Sequence, residues 1–184
     1  MTQTSQLRLT VSQLEERWRE LDVAAPGSIF QGLLICEMPS WEDICSKLDW
    51  EFHLPDEGYF SQQHHGRCGV YRLVALASDR DLTKPAILNR VASQDTSGTL
   101  YIGETGNLSQ RLNQIGRSGW GHRNEDSHGA ISILKQMACL DYLPAKLGIA
   151  LLFTTVRDTK GVESDLIRSY MNTFGDTPPL NYRL

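Results

Sequence analysis

Four side chains in the second half of the chain have the chemistry needed to act on a phosphate. Tyr71 and Tyr101 each lie in a short apolar segment typical of a β-strand. Arg111 and Glu163 each lie in a segment whose apolar residues recur at helical spacing. A guanidinium presents a planar fork of donors that fits phosphate oxygens, and a carboxylate is a ligand that Mg²⁺ prefers. With one divalent cation, such a set could hydrolyse a phosphodiester bond.

Each of these residues has a plainer interpretation when it is taken alone. A single tyrosine in a strand is more often a residue at the edge of a hydrophobic core. A single arginine or glutamate on a helix usually faces solvent. The chemical interpretation therefore depends on the residues occurring together and in a particular order.

That order resembles the signature of the GIY-YIG nuclease family. Gly69-Val70-Tyr71 and Tyr101-Ile102-Gly103 are similar to the two triplets that name the family, with valine for isoleucine in the first. The stretch from Tyr101 to Arg111 resembles the family's second strand, turn and helix. Glu163 follows a third apolar segment, as the family's metal-binding glutamate does, and Asn181 stands in a Pro-Leu-Asn context like the family's terminal asparagine. The resemblance covers about residues 68–182.

The resemblance implies an endonuclease that hydrolyses DNA with a single Mg²⁺ or Mn²⁺ ion. Glu163 would bind the metal, and Arg111 would bind the phosphate. Tyr71 would take a proton from the attacking water or orient it, and Tyr101 would position the water or the phosphate. Asn181 and Gly103 are expected to contact the substrate.

One position departs from the family pattern. Many relatives carry a histidine, tyrosine or lysine one helical turn after the arginine, and this chain has Ile115 there. His122, in a loop rich in glycine and basic residues, could deliver an imidazole to the same place. Arg117 and Arg123 flank that loop, with Trp120 between them, and could bind DNA phosphates.

The segment between the triplets, residues 72–100, is also long for the family. Long insertions at this place resemble those of the restriction-endonuclease-like branch. Another function stays open: a catalytically inactive module with this fold that binds nucleic acid or another protein. Ile115 favours that alternative, whereas the full set of motif residues favours the enzyme.

Charge divides the chain into two parts. Residues 1–60 carry 4 basic and 11 acidic side chains, and residues 61–184 carry 14 basic and 11 acidic ones. We therefore expect an acidic, mostly helical N-terminal appendage over residues 1–60 and a nuclease-like domain over 61–184. The appendage could dock a protein partner, and a palindromic double-strand cutter would need two active sites and hence a homodimer.

The predicted order of elements in the second part is β-β-α-α-β-α. This order indicates an α+β fold with a small three-stranded antiparallel or mixed sheet flanked by helices. Asn107 is a good N-cap for the helix that carries Arg111, and Gly175 should end the helix that carries Glu163.

The remaining composition excludes several classes of protein. No apolar run approaches the roughly 20 residues of a membrane span, and the first ten residues lack the apolar core of a secretory signal. We therefore expect a cytoplasmic protein. The four cysteines form no CxxC pair, and His64, His65 and Cys68 match no familiar zinc spacing, so reduced thiols and no thiolate zinc site are predicted.

Overall fold

The computed structural model describes residues 39–55, 64–119, 128–137, 144–154 and 158–181. Within these residues the chain forms the following elements in order: α1 (Trp41–Lys47), β1 (Glu51–His53), β2 (Cys68–Ala75), β3 (Leu88–Asn89), β4 (Gln94–Asp95), β5 (Thr99–Thr105), α2 (Leu108–Gly119), α3 (Gly129–Gln136), β6 (Leu147–Thr154) and α4 (Thr159–Phe174). The expected α+β class is confirmed.

A four-stranded antiparallel sheet lies at the centre, in the order β1-β6-β2-β5. The prediction of three strands was incomplete, because it missed β1. Strands β2 and β6 occupy the middle and are almost wholly buried, which explains their near-continuous apolar sequence. Tyr71 lies opposite Gly103 on β5 and opposite Leu151 on β6.

Each face of the sheet has its own hydrophobic core, because successive side chains of a strand point to opposite faces. Val70, Val74 and Ile102 face α1 and α4. Tyr71 and Leu73 face α2 and α3 on the other side. The two signature tyrosines belong to this second face.

Part of the expected N-terminal appendage belongs to the domain itself. The side chains of Trp41, Ile44 and Trp50 are buried in the same core as α4, and β1 pairs with β6. The buried guanidinium of Arg72, on β2, lies 4.2 Å from the centre of the Trp50 ring. It donates a hydrogen bond to the sulfur of Cys45 at 2.9 Å. A boundary at residue 60 therefore falls within a single fold, while residues 1–38 lie outside the described part.

The insertion between the triplets packs against the end of α4. It contains the β3–β4 hairpin, in which Arg90 forms an ion pair with Asp176 at 2.9 Å. The backbone N–H of Ala92 donates to the carbonyl of Phe174 at 2.9 Å. None of the four α-helices in the described ranges is long and apolar enough to cross a membrane.

Candidate active site

Tyr71 and Tyr101 lie side by side over Gly103. Their ring centres are 5.9 Å apart. A Cβ atom at residue 103 would lie 2.5 Å from the Tyr101 ring and 2.7 Å from the Tyr71 hydroxyl. Glycine is therefore required at this position to leave room for both rings, which gives Gly103 a steric role beside its expected contact with substrate.

The partner of the Tyr71 hydroxyl is a histidine that the sequence did not single out. The hydroxyl lies 2.7 Å from Nε2 of His128, and both side chains are buried. The His128 ring also stands edge-on to the rings of Tyr71 and Tyr101, at 5.7 and 5.5 Å. An imidazole at this distance can exchange a proton with the phenol.

His128 owes its position to the junction of α2 and α3. It is the N-cap residue of α3, and its backbone N–H donates to Oγ of Ser118, near the end of α2, at 2.7 Å. The Lys135 ammonium also donates to the backbone carbonyl of Ser118. These contacts bring His128 beside Tyr71 although the two are 57 positions apart in the sequence.

Ile115 is fully buried in the core that also contains Tyr71. The imidazole that lies beside Tyr71 belongs to His128, at the N-cap of α3. The expected source, His122, lies outside the described residues, so its placement stays a prediction.

Arg111 and Glu163 act electrostatically on the tyrosines. Burial raises the pKa of Tyr71, Tyr101 and Glu163, and it lowers the pKa of His128. The positive charge of the nearby Arg111 lowers the pKa of each of these four groups. The Arg111 side chain is oriented by Gln114, whose amide oxygen accepts a hydrogen bond from it at 3.1 Å. The four residues predicted to carry the chemistry therefore lie within electrostatic reach of one another.

Glu163 lies beside a second carboxylate, that of Glu104. Burial raises the pKa of Glu163, the negative charge of Glu104 raises it further, and a hydrogen bond to the Glu104 backbone lowers it. Glu104 is the last but one residue of β5. Two carboxylates thus lie close to each other where the edge strand meets α4.

A groove of about 790 Å³ opens between β5, α3 and α4. Tyr101, Glu163 and Asn181 line it, together with the basic side chains of Lys160 and Arg168. The two basic residues were not singled out in the sequence. Lys160 lies three residues before Glu163 on α4, a helical spacing that could have indicated a shared face. Arg168 lies five residues after Glu163, and that spacing gives no such signal.

Asn181 completes the edge of the sheet. Its side-chain oxygen accepts from the backbone N–H of Ile102 at 2.9 Å, and its side-chain nitrogen donates to the carbonyl of the same residue at 2.7 Å. Both hydrogen-bonding groups of the amide are thereby used on β5. The observed role is to hold the edge strand next to Tyr101, and a contact with substrate stays a prediction.

Arg117 lies apart from this groove. It is exposed near the end of α2 and lines a smaller groove of about 350 Å³ with amide side chains of the same helix. The structure therefore does not bring Arg117 and Glu163 into one groove. Arg123 lies outside the described residues.

Comparisons of the chain with protein-family models, with curated protein sequences and with solved structures give no match.

Proposed function

We propose that the chain is a metal-dependent endonuclease with a GIY-YIG-like active site that hydrolyses DNA phosphodiester bonds. The observation that carries the proposal is the buried hydrogen bond of 2.7 Å between the Tyr71 hydroxyl and His128 Nε2. Next to this pair stand a second tyrosine, a guanidinium and a carboxylate, all acting on one another electrostatically. The two tyrosines, the histidine and the carboxylate have shifted pKa values, and neighbouring groups of this kind are typical of functional sites.

The Tyr71–His128 pair provides a route for the proton of the attacking water. Water attacks phosphorus, the bond from phosphorus to the 3′ oxygen breaks, and a 5′-phosphate and a 3′-hydroxyl result. As the Tyr71 oxygen accepts the water proton, its own proton passes to His128 Nε2. The 3′ oxygen takes its proton from solvent.

His128 is suited to this role because it is neutral before the reaction. Burial and the Arg111 charge lower its pKa to about 4, so Nε2 is available as an acceptor near neutral pH. The imidazolium that forms is stabilised by the negative phosphate now bound beside it. The Arg111 guanidinium binds the non-bridging oxygens of that phosphate.

The carboxylates fit a divalent cation. Glu163 is half-buried at the wall of the groove, and the repulsion from Glu104 that raises its pKa would be relieved by a cation between the two. Oxygen ligands of this kind suit Mg²⁺ or Mn²⁺. When bound, the ion would supply Lewis acidity at the phosphate and fix its geometry.

The groove offers a path for a polyanion. Lys160 and Arg168 are exposed along α4 on either side of Glu163. Lysine and arginine side chains in such positions bind backbone phosphates without reading sequence. DNA lying along α4 would place one phosphate between Tyr101 and Glu163.

The test is cleavage of supercoiled plasmid by the full-length protein with Mg²⁺ or Mn²⁺. We expect the wild type to nick or cut the plasmid and to leave 5′-phosphate ends. Glu163→Gln should lower the rate at least about a hundredfold, because it removes the charge of the metal ligand. Glu42→Gln, an exposed glutamate on α1, is the matched control and should cut as the wild type does.

The inactive binding module makes a different prediction. In that case wild type and Glu163→Gln bind DNA with equal affinity, and neither protein cuts any substrate with Mg²⁺ or Mn²⁺.

The products of cleavage distinguish two kinds of enzyme. Discrete fragments would favour a restriction-type enzyme, and diffuse degradation would favour a less selective one. Cleavage that Glu163→Gln retains in full would overturn the proposed site.

A further inference from the structure

Three side chains with metal-ligating atoms meet near the sheet edge that lies opposite β5. Glu51 and His53 lie on β1, and His64 lies in the turn before β2. One carboxylate oxygen and one nitrogen from each imidazole all lie within 4.8 Å of one another. His53 Nε2 is 2.8 Å from the Glu51 carboxylate.

The strand itself brings Glu51 and His53 together. Side chains two positions apart on a strand point to the same face. Glu51 lies opposite Leu151 and His53 opposite Ile149, so both are on the face that α2 and α3 cover further along the sheet. The Glu51 side chain is 46% exposed, which leaves the cluster reachable from solvent.

His64 is fixed by rings on two sides. It is 2% exposed, its ring is 5.3 Å from the His53 ring in an edge-on arrangement, and it lies 5.7 Å from the Phe153 ring. The Arg67 guanidinium stacks on Phe153 at 3.5 Å.

We propose that Glu51, His53 and His64 form a second metal site, for a divalent transition metal such as Zn²⁺. Two imidazoles and one carboxylate are the ligand set of zinc sites that keep a fourth position for water. Mg²⁺ prefers oxygen ligands, so the cluster should discriminate against the cation expected at Glu163. A bound ion would tie the short strand β1 to the segment that precedes β2.

This site is independent of the nuclease proposal. Glu51 and Tyr71 flank Leu151 from the two sides of β6, so two strand spacings, roughly 10 Å, separate their backbones. The plainer alternative is an ion pair of Glu51 with His53 that binds no metal. Metal titration separates the two.

The experiment is calorimetric titration of the full-length protein with Zn²⁺ in excess Mg²⁺, which keeps Glu163 occupied by the harder ion. We expect one tight site in the wild type and in Glu163→Gln. His53→Gln and His64→Ala should each lower the Zn²⁺ affinity at least about a hundredfold. Loss of a residue that only hydrogen-bonds a metal ligand already costs about 10- to 100-fold, and loss of the ligand itself costs more. His65→Ala, the exposed neighbour, is the matched control and should bind as the wild type does.

Thermal unfolding gives a second readout that does not depend on His64→Ala folding. Zn²⁺ should raise the Tm of the wild type and of His65→Ala, but not that of His53→Gln. The proposal is overturned if the wild type shows no tight Zn²⁺ site. It is equally overturned if His53→Gln retains wild-type affinity and the Tm shift.

Discussion

At the scale of single residues, the proposed chemistry depends on a phenol whose proton has somewhere to go. Burial raises the pKa of Tyr71 well above its usual value, and the negative charge of a neighbouring tyrosinate would raise it further. An isolated tyrosine in this place would therefore be a poor base. The hydrogen bond between Tyr71 and His128 offsets this effect of burial, because the phenol proton can pass to the imidazole and need not reach bulk solvent.

The neutral state of His128 predicts a pH dependence of stability. Its pKa falls from 6.5 in the unfolded chain to about 4 in the folded one, so between these values only the unfolded chain binds the proton. The stability present above pH 6.5 should therefore decrease as the pH falls towards 4, by up to about 3 kcal/mol.

Urea unfolding at pH 7 and pH 4.5 measures this change. His128→Gln, which cannot titrate, should lose less stability than the wild type over the same interval. Equal losses in the two proteins would show that His128 is not held neutral by the fold.

Substitution of Gly103 should have a steric effect that the same substitution at the nearby Gly106 should not have. Gly103→Ala would place a methyl group 2.5 to 2.8 Å from the two tyrosine rings, which must then move apart. We expect a loss of about 1–3 kcal/mol of stability and at least a tenfold slower cleavage. Gly106→Ala has no atom within 4 Å of the new methyl group and should change neither.

Thermal unfolding and plasmid cleavage of both variants provide the measurement. A Gly103→Ala protein with wild-type rate and Tm would contradict the crowding of the two rings over residue 103.

The sequence motifs pointed to Tyr71 and Tyr101 but could not indicate which side chain contacts them. Tyr71 and Tyr101 occur in short motifs whose spacing carries information. His128 belongs to no motif, and only the packing of α3 against α2 brings it to Tyr71. Ile115 marked a departure from the pattern that the chain resembles, yet nothing in the sequence distinguished His128 from His122 as the imidazole next to Tyr71.

At the scale of elements, α2 and α3 act as one support for the site. α2 begins after Asn107, whose side chain accepts from the backbone N–H of Gln110 at 3.1 Å, as the sequence predicted. α4 ends at Gly175, as the sequence predicted, and Gly175 has the left-handed conformation of a helix C-cap, with a φ of 74°. These local signals could be read because caps depend on neighbouring residues alone. β1 was missed because a strand of three residues is too short to show the alternation of apolar and polar side chains that indicates a strand.

Ser118 tests whether the α2–α3 junction positions His128. Ser118→Ala removes the acceptor of the buried His128 N–H, which should cost about 1–3 kcal/mol of stability. It should also slow cleavage about tenfold at unchanged DNA affinity, whereas Ser118→Thr, which keeps a hydroxyl, should restore much of the rate. Ser46→Ala, on the exposed side of α1, serves as control.

Single-turnover rates and DNA-binding affinities of these variants decide the matter. If Ser118→Ala loses stability but cuts at the wild-type rate, the junction supports the fold without positioning His128.

At the scale of the whole molecule, charge gave a misleading boundary. The first 60 residues are acidic, but residues 39–55 supply a strand and several core side chains to the same fold. Surface charge is set by exposed residues, whereas membership of a domain is set by buried ones. Trp41 and Trp50 were the signal, since large aromatic side chains rarely stay in solvent.

Trp41 measures how far this segment belongs to the core. It is fully buried, contacts the Tyr170 ring at 5.2 Å and donates to the hydroxyl of Ser97 at 2.9 Å. Trp41→Ala should cost about 3–5 kcal/mol of unfolding free energy. Phe52→Ala, at an aromatic residue that is 41% exposed on β1, should cost much less.

Urea denaturation followed by circular dichroism gives both values. Equal stabilities of the two variants, or a chain beginning at Ser61 with the unfolding midpoint of the full-length protein, would place residues 39–55 outside the core after all.

The central claim is that Tyr71 and His128 work as one unit on a single scissile phosphate. The most direct measurement is the single-turnover cleavage rate of a DNA duplex by Tyr71→Phe, His128→Gln and the double variant, with Mg²⁺ and saturating protein. We predict that each single variant is slowed about a hundredfold or more, and that the double variant is no slower than Tyr71→Phe alone. Losses that multiply in the double variant, or a wild-type rate in either single one, would contradict it.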